Sequence, residues 1–301
     1  MPASGIRVRS VGDLVADGVY RAHSRFRRVV NATCTGKLVT LAVPGVDAGP
    51  LTIVADGVDP RRVRTIRIEE RTLAVDGARA RFGDDAVYRS EFEAGPEDLP
   101  LIARNLSVLA ACVASRAPRA SLAFLIDPAK LSEFRPGFER GLADHIGNCV
   151  RDIRHGQLLR GVSRLRGAGF GLTPSGDDFI AGLLLATHVI ERTEGRDLES
   201  LRLSVLEAAR TSNLLADAFL LLASEGRVFE SMKALLGALS RGGPRDVTRC
   251  CGRLLEVGET SGADIAVGLL VTLEAGLSGS RASWPRAVTG RSVRDREAAW
   301  L

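Results

Sequence analysis

The feature that most constrains this chain is a polar helix start that occurs twice. The first copy reads Gly-Phe-Gly-Leu-Thr-Pro-Ser-Gly-Asp-Asp-Phe-Ile-Ala-Gly-Leu-Leu over residues 169–184. The second reads Glu-Thr-Ser-Gly-Ala-Asp-Ile-Ala-Val-Gly-Leu-Leu over residues 259–270 and repeats the frame Ser-Gly-x-Asp-x-x-x-Gly-Leu-Leu. In both copies a polar, glycine-containing stretch leads into an apolar run, which is the order in which a loop joins the start of a helix. Two such starts predict a single binding site that is lined by both of them.

The residues shared by the two copies fall on one side of each helix. They are Ser175, Asp178 and Gly182 in the first copy and Ser261, Asp264 and Gly268 in the second. The spacing i, i+3 and i+7 gives each helix a face with a hydroxyl, a carboxylate and then a gap without a side chain. Such a gap admits another helix at short range. We therefore predict that the two helices cross near these glycines and bring their N-termini to one cleft.

The N-terminus of a helix attracts anions because its first N–H groups are unpaired and the helix dipole is positive there. Thr173 fits the N-cap position, and Pro174 fits the first helical position, where proline loses no donor. A glycine in the first turn costs about 1 kcal/mol and is typical of a backbone that another group approaches closely. The candidate ligands for an anionic substrate are therefore the hydroxyls and glycines of the two starts: Gly169, Gly171, Thr173, Ser175, Gly176, Thr260, Ser261 and Gly262.

Three carboxylates accompany these starts and are the candidate catalytic groups. Asp177, Asp178 and Asp264 can accept hydrogen bonds from an amide, and together they could hold Mg²⁺ through oxygen atoms. Each aspartate alone also fits plain helix capping, because a negative charge stabilises the first turn. For the doubled pattern we favour a functional site. Magnesium is the one cofactor that the pattern leaves open.

Further candidates lie outside the repeated frame. Thr211 and Ser212 precede Leu214 at another predicted helix start and could reach the same cleft, and Asn31 precedes the first clear strand. Several other site types are not indicated. The chain lacks the lysine of a Walker loop, a strand–helix–strand unit with a downstream acid, and a Gly-x-Ser-x-Gly elbow. Its four histidines have no metal-ligand spacing, so zinc is not predicted.

Composition limits the domain number, the kinds of partner and the cellular location that we predict for this chain. The chain has 301 residues, of which 45% are hydrophobic, enough for a substantial core and two domains. Its net charge is +5, but the arginines are spread along the chain, so we predict no nucleic-acid partner. The longest apolar runs are shorter than the ~20 residues that span a bilayer, and residues 1–9 lack a signal-peptide core, which predicts a cytoplasmic protein without a membrane partner. Five cysteines in no recognisable pattern predict reduced and mostly buried thiols.

Two regions of the chain differ in hydrophobic period, so the predicted fold class is α+β. Residues 1–95 contain short β-branched segments and tight turns, including the hairpin signal Asp76-Gly77, and predict an antiparallel β-rich domain, either a small barrel or a sandwich. Residues 96–277 have apolar residues at helical spacing and predict a mostly α-helical domain that carries both Ser-Gly-x-Asp starts. Residues 278–301 have few apolar anchors and predict a loosely ordered tail.

The motif at 169–184 resembles the signature of the AllH-type family, which includes the AllH subunit of bacterial oxamate carbamoyltransferase. Other blocks are also similar to that family: Asn31, Gly36-Lys37-Leu38, Gly49-Pro50, Thr211-Ser212, Ala223–Arg227 and Gly258–Asp264. The resemblance covers nearly the whole chain except the tail. It implies carbamoyl transfer, in which an oxalurate-like ureido acid and phosphate give carbamoyl phosphate and an oxamate-like product. It also implies a role in purine (allantoin) catabolism and partner subunits, because that enzyme is a multi-subunit assembly.

One position departs from the family pattern. Glu259 stands where the pattern Gly-His-Thr/Ser-Ser-Gly places a histidine, so either this position is not catalytic or this chain handles a different substrate. Three interpretations stay open. The chain is an enzyme or enzyme subunit acting on a small anionic amide, or it is a non-catalytic subunit that binds phosphate, a carboxylate or a nucleotide. In the third, the repeat is a structural duplication whose glycines only permit close packing.

Overall fold

The computed structural model describes residues 5–169, 173–211 and 213–277. These residues divide into two compact units. The sheet unit contains residues 5–91 and Arg227–Glu230, and the helical unit contains Phe92–Gly226 and residues 231–277. Helices account for 53% of the chain and strands for 18%, so the predicted α+β class, β-rich first and helical second, is confirmed. The predicted tail, residues 278–301, lies outside the described residues.

Among the described residues, the sheet unit forms one curled sheet of nine strands. The strands are β1 (Arg7–Gly12), β2 (Gly18–Arg25), β3 (Val29–Cys34), β4 (Lys37–Ala42), β5 (Thr52–Asp56), β6 (Thr65–Glu69), β7 (Thr72–Val75), β8 (Ala78–Arg81) and β9 (Val87–Tyr88). Their order across the sheet is β8-β7-β6-β2-β3-β4-β5-β1-β9. Most neighbours are antiparallel, as predicted, but β4–β5 and β1–β9 pair in parallel. The Pro- and Gly-rich connection between β4 and β5 runs back along the sheet instead of forming a tight hairpin.

Alternating burial explains why these segments form a sheet. In β6, Ile66 and Ile68 are buried while the residue between them is exposed, and their side chains join a core that includes Tyr20 and Leu41. Each fully buried apolar side chain of this size stabilises the fold by about 1.5–3 kcal/mol. Strands β7 and β8 are joined by Asp76-Gly77, with φ of 47° and 97°. A two-residue hairpin needs positive φ at both positions, so the hairpin predicted there is confirmed.

A short 3₁₀ segment, Pro96–Asp98, follows the sheet, and the described chain then forms nine α-helices with two further 3₁₀ segments between α1 and α2. The helices are α1 (Leu99–Arg116), α2 (Phe138–Arg154), α3 (Leu158–Leu165), α4 (Ser175–Glu194), α5 (Glu199–Ala209), α6 (Leu214–Ser224), α7 (Glu230–Arg241), α8 (Pro244–Leu255) and α9 (Ser261–Leu277). These two further 3₁₀ segments are Leu122–Leu125 and Pro128–Glu133. All five cysteines are free thiols and four of them are buried, as predicted.

Helices α4 and α9 form the centre of the helical unit. Every residue from 176 to 190 and every residue from 262 to 273 is buried. A helix that is apolar and covered on all sides is typical of a protein core, not of a surface. The two polar helix starts therefore lead directly into the most buried helices of the unit.

The backbones of α4 and α9 touch at two glycines. A Cβ atom on Gly182 would lie 2.2 Å from the carbonyl oxygen of Ile265. A Cβ atom on Gly268 would lie 2.1 Å from the carbonyl oxygen of Phe179. Neither distance leaves room for a methyl group, so only glycine permits this approach. The predicted crossing of the two helices near these glycines is confirmed.

One segment, Pro96–Arg116, is long and apolar enough by length and composition to cross a membrane. In the helical unit α1 packs against α8 and α9, and Ile102 on its inner face is buried. The side chain of the buried Asn105 donates hydrogen bonds to the carbonyls of Leu239 and Gly242 at 3.0 and 3.1 Å. These contacts are those of a core helix.

The glycine crossing gives a direct stability test. We expect Gly182→Ala to destabilise the protein by about 3 kcal/mol or more, because the added methyl forces the two backbones apart. Gly141→Ala is the matched control, since Gly141 also lies inside a helix but nothing approaches its Cβ position. That change should stabilise the protein by about 0.5–1 kcal/mol. Urea unfolding of both variants measures the difference, and equal effects would show that the crossing tolerates a wider spacing.

Candidate functional site

Helix α4 begins one position later than predicted. Its N-cap residue is Pro174, whose carbonyl accepts the N–H groups of Asp177 at 2.9 Å and Asp178 at 3.0 Å. No side chain caps this helix start. The prediction that Thr173 serves as N-cap is therefore wrong, because the chain turns into the helix after Thr173 and leaves its hydroxyl pointing elsewhere.

The hydroxyl of Thr173 contacts the start of the other central helix. Its Oγ1 atom lies 3.2 Å from Oγ of Ser261. The two helix starts thus lie side by side, and the crossing of Gly182 with Gly268 lies further along both helices. Helices α4 and α9 therefore run parallel, with both positive dipole ends at the same place.

Each helix start supplies a serine hydroxyl that interacts with a carboxyl of the other helix. Each carboxyl interacts with a serine hydroxyl of the opposite helix and with one threonine hydroxyl: Asp178 with Ser261 and Thr173, and Asp264 with Ser175 and Thr260. The four hydroxyl-bearing residues are half-buried, while the two carboxyl-bearing residues beneath them are buried. The site has a partly exposed rim of hydroxyls and a floor of acids.

The acids are buried to a degree that is unusual for carboxylates. The exposed fractions of Asp177, Asp178 and Asp264 are 3%, 1% and 0%. Taking an ionised carboxylate out of water is costly unless it is paired, and the group then shifts its pKa toward the neutral form. Plain helix capping at a surface needs no such burial.

Burial raises the pKa of all three acids. The pKa of Asp178 lies well above its ordinary value, because burial outweighs the hydroxyl of Ser261 and because the charges of Asp264 and Asp177 oppose ionisation. Burial raises the pKa of Asp264 to about 6, against the opposing effect of the Leu122 amide. Burial also raises the pKa of Asp177. The three acids therefore do not all ionise together as ordinary carboxylates do.

Two of the acids accept a hydrogen bond from a backbone N–H group, and among the described residues the third does not. Oδ1 of Asp177 accepts the N–H of Gly167 at 2.7 Å, and Oδ1 of Asp264 accepts the N–H of Leu122 at 2.6 Å. Within the described ranges, Asp178 interacts with hydroxyls and with no backbone N–H. A hydroxyl can donate or accept by rotating, so it accommodates both protonation states of its neighbour. Asp178 is thus the acid best suited to gain and lose a proton.

Each acid also keeps one oxygen unused. Oδ2 of Asp177, Asp178 and Asp264 is buried and has no hydrogen-bond partner in the part of the chain that the structure describes. A buried polar atom without a partner costs about 1–3 kcal/mol. These oxygens leave hydrogen-bonding capacity near the two helix starts that the described residues do not use.

The structure does not form the magnesium site considered from the sequence. Among residues 5–169, 173–211 and 213–277, no group of three acidic, histidine or cysteine side chains is placed to hold a metal ion. Asp177 and Asp264 each use one oxygen to accept a backbone N–H, from Gly167 and Leu122.

The glycines of the first turns, Gly176 and Gly262, pack closely against neighbouring backbone. A Cβ atom on Gly176 would lie 2.0 Å from the Leu165 carbonyl oxygen, and one on Gly262 would lie 1.8 Å from the Leu254 carbonyl oxygen. Their N–H groups are also used, donating to the carbonyls of Ala168 at 2.7 Å and Val257 at 3.0 Å. Close packing accounts for glycine at both positions, and their role as anion ligands stays a prediction. They let the end of the preceding helix, α3 or α8, press against the next helix start.

The other predicted ligands have mixed outcomes. Gly169, with φ of 134°, passes so close to the start of α4 that a Cβ atom would lie 2.4 Å from the Ser175 nitrogen. Gly171 and Ser212 lie outside the described residues. Thr211 donates through both its N–H and its hydroxyl to Oδ1 of Asp217, at 2.9 and 3.0 Å.

Asn31 lies in the sheet unit, on β3. Its amide donates to the hydroxyl of Ser24 at 3.1 Å and accepts from the hydroxyl of Thr40 at 2.8 Å. Its exposed fraction is 5%. The side chain therefore stabilises neighbouring strands, and its role in binding substrate stays a prediction.

Sequence reasoning missed two groups that act on the site. The backbone N–H of Leu122 orients Asp264, and it comes from a 3₁₀ turn with no recognisable signature. Asp217 on α6 adds a negative charge that raises the pKa of Asp177. The helix start at Asn213 was a usable signal, because an acid in its first turn is expected to face the preceding threonine.

These features define a class of protein in which two parallel central helices hold buried carboxyls beneath a hydroxyl rim. The family model described as oxamate carbamoyltransferase subunit AllH matches residues 165–273, from the end of α3 into α9. The resemblance stated from the sequence is thereby confirmed over the segment that carries both helix starts. No curated protein and no solved structure matches the chain. For residues outside 165–273 the family resemblance stays a prediction.

The raised pKa of Asp264 predicts a specific pH dependence of stability. In the folded protein this pKa is about 6, whereas an unperturbed aspartate has a pKa of about 3.9. The carboxyl therefore contributes no penalty below about pH 4, and its ionisation destabilises the fold as the pH rises toward 6. Asp264→Asn removes this loss. As the pH rises from 4 to 7.5, the free energy of unfolding of the variant should therefore increase by about 2 kcal/mol relative to that of wild type.

Urea unfolding of wild type and variant across that pH range measures the gain. Asp144→Asn on α2 is the control, because the Asp144 side chain is 60% exposed. Its difference from wild type should change little over the same range. A wild type and an Asp264→Asn variant with parallel pH profiles would contradict the assignment.

Proposed function

We propose that this chain is a subunit of an enzyme that transfers a carbamoyl group between a ureido acid and phosphate, and that the paired helix starts hold the substrate. The matched family is described as a subunit of oxamate carbamoyltransferase, which supports the reaction class. The observation that carries the proposal is Asp178, which is 1% exposed and lies beside the hydroxyls of both helix starts.

The proposed chemistry needs a group that can move one proton. Phosphate oxygen attacks the carbamoyl carbon of the ureido acid, the bond from that carbon to the leaving nitrogen breaks, and the nitrogen takes up a proton. A carboxyl whose pKa is raised by burial, as that of Asp178 is, is suited to donate that proton, as in other enzymes that use a buried acid. In the reverse direction Asp178 accepts the proton again.

The substrate's negative charge has a natural location at the rim. Two parallel helices whose N-termini lie together present two positive dipole ends to the same ligand. Because the first-turn glycine amides are already bonded to carbonyls, we assign anion binding to the hydroxyls of Thr173, Ser175, Thr260 and Ser261. These hydroxyls are half-buried and can donate to a carboxylate or a phosphate oxygen.

A second function has one observation in its favour. Glu259 is exposed just before α9, where the family pattern places a histidine, so this chain lacks a neutral ring donor at that position. In this alternative the chain binds the phosphate or carboxylate and a partner subunit supplies the chemistry. The description of the matched family as a subunit agrees with either role.

Turnover separates the two functions. We expect the purified chain, alone or reconstituted with its partner subunits, to form carbamoyl phosphate from oxalurate and phosphate. Asp178→Asn should lower the rate by about 10²–10⁴-fold, the usual contribution of a general acid, while leaving substrate binding largely intact. Asp144→Asn makes the same chemical change on an exposed part of α2 and should leave the rate unchanged.

Carbamoyl phosphate formation measured by coupled assay, together with ligand-induced changes in Tm, distinguishes the outcomes. Binding of oxalurate and phosphate with unaltered turnover in Asp178→Asn would assign the chain the binding role. No change in Tm with either ligand would contradict both functions, since a ligand that binds the folded state must stabilise it.

A further inference from the structure

In the described part of the chain, each of the paired helix starts carries a buried carboxyl oxygen without a hydrogen-bond partner. Oδ2 of Asp178 belongs to α4 and Oδ2 of Asp264 belongs to α9, and both are buried without a hydrogen-bond partner among the described residues. The two carboxyls are close enough for the charge of one to oppose ionisation of the other. Their other contacts are fixed by the fold, because Leu122 holds Oδ1 of Asp264 and the hydroxyls of Ser261 and Thr173 adjoin Asp178.

The surroundings favour one neutral and one ionised group. The charged side chains that act on Asp178 are Asp264 and Asp177, and both are acidic. Asp264 receives a backbone N–H, which stabilises its charged form, whereas Asp178 receives hydroxyls only. Two like charges in a buried site do not ionise together. The pair therefore presents an O–H donor on Asp178 and a carboxylate acceptor on Asp264.

We propose that this pair recognises a terminal primary carboxamide, with Asp178 donating to its carbonyl oxygen and Asp264 accepting from its N–H. This inference rests on the proposed function and adds which end of the ligand the floor of the site selects. The terminal carboxamide of a ureido acid is its carbamoyl group, whose oxygen and leaving nitrogen are bound to the same carbon. The Asp178 proton that binds the oxygen before reaction is therefore the one that passes to the nitrogen during turnover. A primary amide carries one acceptor and an N–H donor side by side, and it is neutral. A carboxylate of the same shape offers two acceptors and a charge, so it would meet Asp264 with like charges and no proton between them.

Oxamate and oxalate are matched probes for this inference. They have the same shape, but oxamate has a carboxamide where oxalate has its second carboxylate. At pH 7.5 we expect oxamate to bind the full-length chain and oxalate to bind at least about tenfold more weakly, because like charges in a desolvated site repel strongly. Titration calorimetry and ligand-dependent Tm measure both affinities.

The two aspartates should respond differently to the same substitution. In Asp264→Asn the amide oxygen keeps accepting from Leu122, so the –NH₂ group takes the place of Oδ2 and the acceptor becomes a donor. This variant should reverse the preference and bind oxalate more tightly than oxamate. In Asp178→Asn an –NH₂ group replaces the O–H donor, so the preference for oxamate should persist. Asp144→Asn should bind both probes as wild type does.

The outcomes separate this inference from the function on which it rests. Equal binding of oxamate and oxalate by the wild type would overturn the inference, while oxalurate turnover would leave the proposed function intact. Loss of the oxamate preference in Asp178→Asn but not in Asp264→Asn would also overturn it. If no probe binds and no turnover occurs, both fail. The melting temperature of each ligand-free variant shows that the fold is retained.

Discussion

The contact between the backbones of α4 and α9 is the constraint on which the helical unit depends. At Gly182 and Gly268 the helices approach so closely that a methyl group at either position would overlap a carbonyl oxygen. This distance of approach lets a serine of one helix reach the carboxyl of the other. It also sets both helix starts side by side. The core packing and the candidate site are thus one arrangement, and the site cannot be loosened without moving the core.

Buried acids at the start of a core helix stabilise the fold poorly on their own. Asp177 and Asp264 recover part of the desolvation penalty by accepting a backbone N–H from Gly167 and Leu122, whereas Asp178 does so only through hydroxyls. Natural proteins commonly tolerate such local instability where function requires it. The carboxyl with the least structural use is therefore the one with the strongest case for a chemical role.

The sequence was most informative where a pattern repeats and least informative where a contact depends on distant backbone. The doubled Ser-Gly-x-Asp frame predicted the crossing of α4 and α9, since glycine at i+7 has few other purposes on a buried face. The same reasoning did not anticipate that the group approaching Gly176 and Gly262 is the end of the preceding helix. Nothing in the sequence around Leu122 indicates that its amide reaches Asp264. The sequence also did not predict that β4 and β5 pair in parallel, because turn residues mark a connection without showing whether the strands it joins are parallel or antiparallel.

The two halves of the site are similar but not identical. Ser175-Gly176 and Ser261-Gly262 occupy equivalent positions, but the next residue is Asp177 in one half and Ala263 in the other. A site with true two-fold symmetry would offer a small asymmetric ligand two equally good orientations, and only one of them would place the reacting bond correctly. The extra carboxyl removes that degeneracy. The difference in charge between the two helix starts would thus give a bound asymmetric ligand one preferred orientation.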